Sequence, residues 1–248
     1  MKPLSAILPV AVVPPLRHES RSPSLVSHLW LPLTLMLLAS ALLMSGGVDQ
    51  RIADAVYHAE GNHWLLKNYW LTAELIHRGG KWLSASAAVL VFVAAVVAWM
   101  NPLHRRWRWP LTMLGVSIAL STALVSQLKR ATGMDCPWDL GRYGGRLPYY
   151  GLFESRHGLP ATGCFPAGHA SAGYAWLALY FFALATRPNL RWPALGVGLV
   201  AGGVLGIAQQ LRGAHFLSHD LWTLAICWIV PLLLFRLPVA RPLAQVQS

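Results

Sequence analysis

Three short stretches hold most of the side chains in this chain that can do chemistry. LRGAHFLSHDLW, residues 211–222, sets Arg212, His215, His219 and Asp220 between two long apolar runs. CFPAGHAS, residues 164–171, carries His169 just behind Pro166 and Gly168. LKRATGMDCPWDLGRYGG, residues 128–145, carries Lys129, Arg130, Asp135 and Arg142. Ionisable groups are costly in or beside a bilayer, so clusters that border apolar runs read first as functional. Histidine serves as a nucleophile, or as a general acid near neutral pH. Lysine, arginine and the free N–H groups of a helix start at Gly168 suit an anion such as phosphate.

Each stretch also has a plainer reading. Ser218 can cap a following helix, with Asp220 near its positive end. His169 can be a headgroup-level histidine at an ordinary helix start, and Lys129 a snorkelling lysine. A metal site is another functional reading. His215 and His219 are four residues apart, which on a helix puts them on one face, and His169 would supply a further ligand. The glutamate of a His-Glu-x-x-His motif is missing.

The elements that must position these groups are apolar helices. The 248-residue chain is 55% hydrophobic and 12% charged, with mean hydropathy +0.46. A soluble domain usually carries about 25% charged residues. Twelve tryptophans fit interfacial belts at a bilayer. Net charge is +11 and pI about 10.2. No basic–aromatic pattern supports a nucleic-acid partner, which leaves membrane lipids and phosphorylated substrates as partners for the excess charge. Six apolar stretches stand at 28–46, 82–100, 110–127, 169–186, 193–211 and 221–237. At 1.5 Å per residue each approaches the ~30 Å hydrocarbon core. An open sheet would leave backbone groups unpaired in lipid, so the expected class is all-α: a polytopic six-transmembrane-helix bundle over 28–237. Residues 1–27 and 238–248 are expected as cytoplasmic tails. The first, broken by Pro9, Pro14 and Pro15, lacks a clear signal-peptide cleavage site. The short connections 101–110 and 187–192 are basic and free of acids, which places them in the cytoplasm. Lys2, Arg17, Arg21, Arg236 and Arg241 share that side. The three reactive stretches then share the outward face, the periplasm if the membrane is a bacterial inner membrane.

Taken together and in order, the stretches resemble the type 2 phosphatidic acid phosphatase superfamily, which includes membrane lipid phosphatases and haloperoxidase-like proteins. Its signatures are Lys-x6-Arg-Pro, Pro-Ser-Gly-His and Ser-Arg-x5-His-x3-Asp. Lys129 and Pro137 have the first spacing; Pro166, Gly168 and His169 match the second; residues 213–218 resemble the segment around the histidine of the third. The chain departs at four places. Cys136 stands for the first arginine and Ala167 for the serine. Gln209 stands for the last arginine, with Arg212 three residues before His215. His219 stands for the final aspartate, with Asp220 one step on.

The resemblance implies a phosphatase acting on a lipid phosphate or pyrophosphate, with phosphotransfer to a second lipid as a variant outcome. In that scheme His215 attacks phosphorus and forms a phosphohistidine. Asp220 or His219 orients it, and His169 protonates the departing oxygen. Lys129 and Arg212, with Gly168 and in second place Arg142, hold the phosphoryl oxygens. The scheme needs no metal and no cofactor. Cys136 and Cys164 both fall in the outward loop, and a disulfide between them is expected, stapling the first signature to the second. Two rivals remain: a metal-dependent membrane hydrolase using His169, His215 and His219, and a non-catalytic lipid-binding or transport protein on the same scaffold.

Overall fold

A computed structural model of the chain describes residues 24–237 apart from 153, 155–157 and 159–161. Residues 1–23 and 238–248, with most of the two expected tails and with Lys2, Arg17, Arg21 and Arg241, lie outside the described residues. The described residues are 80% helical, and no strand occurs among them. The helices are α1 (Val26–Met44), α2 (Val48–Ala59), α3 (Leu71–Met100), α4 (Arg108–Thr132), α5 (Gly168–Tyr174), α6 (Ala178–Thr186), α7 (Arg191–Leu211) and α8 (Leu217–Phe235). A 3-10 turn, Ala175–Leu177, joins α5 to α6.

Among the described residues, five helical stretches are long and apolar enough to cross a membrane: Val26–Met44, Leu71–Met100, Pro102–Asp139, Pro188–Leu211 and Leu217–Phe235. They point to an integral membrane protein. Trp82, Leu83, Leu90, Phe92 and Met100 of α3 turn outward with at least 66% exposure each, a surface suited to lipid rather than water. The sixth expected span, 169–186, is α5 and α6. It is broken by the 3-10 turn and carries His169, Ser171, Gly173 and two tyrosines, so it falls outside the apolar set. Its neighbours explain that composition. Ala170, Leu177, Ala178 and Phe181 are buried and pack with Leu114 and Ile118 of α4 and Cys227 and Leu232 of α8. A helix wrapped by protein meets little lipid.

Small residues set the tightest crossing. Gly198 and Gly202, one turn apart on α7, face Leu177 and Tyr174. A Cβ at Gly202 would overlap the Tyr174 ring, so glycine lets α7 approach α5 at backbone distance. That approach brings the start of α5 beside the end of α7.

Two layers of contacts mark the ends of the bundle. At one end Trp107 stacks on Phe182, and the His28 ring meets Tyr180 and Trp228. At the other, α2 and the loop 133–147 fold over the helix ends. Ala53, Leu140, Tyr143 and Phe216 form a second small core there, with Trp64 packed against it. Gly213, at φ +70°, turns the chain from α7 toward α8 beneath Trp64, and a Cβ there would strike that ring.

Candidate active site

The three reactive stretches meet at the covered end. Lys129 sits in the last turns of α4, and its side chain lies along Gly168: a Cβ built on that glycine would be 3.7 Å from Nζ. His169, one residue into α5, faces His215, with ring centroids 6.5 Å apart. His215 stands in the turn between α7 and α8 and is only 3% exposed. His219, in the first turn of α8, is fully buried beside it. Their Nδ1 atoms are 3.5 Å apart. Burial, helped by His219, Lys129 and His169, holds the His215 imidazole well below the usual histidine range. The ring is therefore neutral at neutral pH, the form that has a lone pair to attack with.

The loop that delivers Cys164 is tied down at several points. Cys136 and Cys164 are bonded to each other, with Cα atoms 5.2 Å apart. Cys164 N–H donates to the Met134 carbonyl at 2.6 Å, Thr162 Oγ1 to Asp135 Oδ1 at 3.0 Å, and Thr132 to the Phe165 carbonyl. Ala167 N–H donates to the His219 carbonyl, and Thr223 to that of Ala167, which locks this loop to α8. Trp138 N–H donates to the Gly213 carbonyl, joining the first stretch to the third.

Asp220, a candidate orienter of His215, faces elsewhere. Its Oδ2 accepts from Gln210 Nε2 at 2.5 Å and lies against Gly206 of α7, while Oδ1 has no hydrogen-bond partner. Between the two candidates it is His219 that touches His215. Ser218, expected to cap α8, lies inside the helix. Its N–H is met instead by Asp49 of α2, at 3.0 Å from Oδ1. Burial raises the Asp49 carboxyl above its usual range. Arg142 is not a phosphate ligand in this arrangement. Its Nε and Nη2 bind Asp54 at 2.7 and 2.6 Å on the surface, which holds the Asp54 carboxyl below its usual range. Arg212 donates through Nε to the Lys67 carbonyl at 2.8 Å and through Nη1 to Gln209 Oε1 at 3.3 Å. Gln209, at the position of the family arginine, thus holds the arginine that stands one turn beyond it.

A crevice of about 1000 Å³ leads from this cluster down between α3 and α4. Lys81, Lys129, Arg130 and His169 line its head; Ala85, Val89, Phe92, Gly115, Ile118 and Ala119 line its length, with no acidic side chain. Among the described residues, no group of three His, Cys, Asp or Glu side chains is arranged to hold a metal ion.

Sequence reasoning missed His77. This α3 side chain packs on His169 with ring centroids 4.0 Å apart. The apolar run of α3 draws attention from 82 onward, and the helix starts a full three turns earlier. The available signal was the spacing of His77 and Lys81, which puts both on one helical face.

A family model described as the PAP2 superfamily matches residues 110–242, more than half of the chain. The match takes in Lys129, His169, His215 and His219, and leaves out α1 to α3. No curated protein and no solved structure matches the chain.

Proposed function

The chain belongs to the PAP2 superfamily, whose members act as phosphatases on phosphate esters, and on that premise we propose that it is a membrane phosphatase removing phosphate from a lipid phosphate or pyrophosphate through a phosphohistidine. The observation that carries this reading is the convergence of His169 and Lys129 at the cationic head of a largely apolar crevice, with His215 buried directly behind His169. An anionic headgroup belongs among the cations, and a hydrocarbon tail belongs along Val89, Phe92 and Ile118. Phe92 and Val89 are also exposed on the bundle's flank, so a tail can enter sideways from the bilayer.

In the reaction, Nε2 of neutral His215 attacks phosphorus while the bond to the leaving oxygen breaks. Its Nδ1 faces His219, which orients the ring and shares the proton that Nδ1 must hold once Nε2 is phosphorylated. His169 gives the leaving oxygen its proton. Lys129 and Arg212 stabilise the non-bridging oxygens, aided by N–H groups from Gly168 onward, where charge gathers in the transition state. Water then attacks the phosphohistidine, its proton passes to His169, and phosphate leaves. Asp220 supports the fold by joining α8 to α7, and Arg142 braces the outer cover.

The topology follows from the same convergence. Helices α4 and α7 end at the site, and α3, α5 and α8 begin there. The α5–α6 stretch therefore serves as a sixth crossing, less apolar because it is sheathed by its neighbours. The basic turns 101–107 and 187–190 lie at the opposite end, which supports a site on the outward face and, in a bacterial inner membrane, in the periplasm. A disulfide suits that compartment.

The test is phosphate release by purified protein from a panel comprising phosphatidate, phosphatidylglycerol phosphate, lipid A phosphate and undecaprenyl pyrophosphate. Release from at least one lipid, persisting in excess EDTA, is expected; inactivity on all four, or loss on chelation, counts against the reading.

A further inference from the structure

Helix α3 precedes the matched family segment, and the scheme above leaves its polar residues at the site unused. His77 lies in a π-helical segment, Leu71–Gly79, and Lys81 lies one turn on, where the helix has become α-helical. Such wide turns recur at functional sites because they re-aim side chains without ending the helix. Here the His77 ring rests on His169 at 4.0 Å between centroids. Lys81 lines the head of the crevice together with Lys129, Arg130 and His169.

These two side chains stand where the site is short of parts. The first signature's arginine is Cys136, and its sulfur is committed to Cys164. Arg142 is committed to Asp54. Phosphoryl transfer depends on cations around the equatorial oxygens, so a lost arginine needs a substitute. Among the described residues, no carboxylate hydrogen-bonds His169 to fix its ring, and its nearest aromatic neighbour is His77.

We propose that α3 completes the active site, with Lys81 binding phosphoryl oxygens in place of the displaced arginine and His77 acting as a positioning residue that holds the His169 imidazole toward the leaving oxygen. This rests on the phosphatase reading and assigns work to a helix outside the family segment.

The test compares a long-chain alkyl phosphate with p-nitrophenyl phosphate, whose leaving group departs without a proton. His77→Phe should lower kcat on the alkyl ester about tenfold or more and on the aryl ester less than about threefold, the pattern of an impaired general acid. His77→Asn, which keeps a polar side chain at this place, serves if the phenylalanine variant fails to fold. Lys81→Met should lower kcat/KM about tenfold or more on both esters, with a fall in kcat, and Lys81→Arg should restore it. Equal losses on both esters for His77 variants, or no change in either, overturn the positioning role; an unchanged kcat/KM in Lys81→Met overturns the phosphoryl-binding role. His169→Ala must show the same preference for the aryl ester. A wild-type protein inactive on both esters would instead remove the phosphatase reading itself.

Discussion

At the scale of the residue, the site turns on which side chain faces His215. The two Nδ1 atoms in contact make His219 its partner, while Asp220 is held by Gln210 across the α7–α8 gap. His219→Ala is expected to lower kcat by about 10²–10³, the size of effect seen when a positioned polar group is lost from a transition state. Asp220→Asn, which keeps an acceptor for Gln210, should stay within about threefold of wild type in the same assay. A reversed ranking would move the role to Asp220. His215 also carries a pH signature. Burial depresses its folded pKa, so the unfolded state binds the proton more readily. The stability tied to the neutral ring is therefore present above the unfolded value of about 6.5 and is lost as pH falls through and below it. Melting curves taken between about pH 7 and pH 5 should show a falling Tm, with a shallower fall for His215→Gln. Much of this residue scale is legible in the sequence. Lys129, His169 and His215 sit in local motifs whose spacing survives translation into space. The choice between His219 and Asp220 is not legible, because consecutive residues in a helix's first turn point to different neighbours and only the packing of α7 decides which.

Helices carry the site by approaching closely at few points. The α5–α7 crossing depends on Gly202 against Tyr174, and α7 must stay there for His215 to meet His169. Gly202→Leu should cost about 1–3 kcal/mol from overpacking and lower activity by shifting His215 away from His169. Thermal melts paired with turnover check it, and a variant with unchanged Tm and rate would contradict the crossing as described. The apolar runs of α1, α3, α4, α7 and α8 are readable from composition because lipid-facing surface must be apolar. Their starts are less so. The first turns of α3, from Leu71, mix Glu74, His77 and Arg78 with Leu75 and Ile76 and read as loop. The buried α5–α6 stretch inverts the problem: its interior position permits serine, glycine and tyrosine, which weakens the hydropathy signal for a helix at the centre of the bundle.

Across the whole molecule, a lid of α2 and the 133–147 loop closes over helix ends that carry the reactive groups, and lateral access is left between α3 and α4. The lid is stapled by Cys136–Cys164 and its surface is braced by Arg142–Asp54. Reduction of the disulfide should lower stability by about 2–4 kcal/mol, whereas Arg142→Ala, removing an exposed pair, should change it by less than about 1 kcal/mol. Denaturation of the two preparations in the same detergent compares them directly. The lid's contribution was hidden in the sequence, since Asp49 and Trp64 reach the site only through long-range packing that no local spacing encodes. In the proposed reaction His215 carries the phosphoryl group between lipid and water. Rapid-quench mixing with a lipid substrate labelled in its terminal phosphate tests this most directly: the label should appear transiently on the protein, acid-labile and mapped to His215, and His215→Ala should neither take up label nor release phosphate. Full turnover by His215→Ala, or label residing on another side chain, would contradict it.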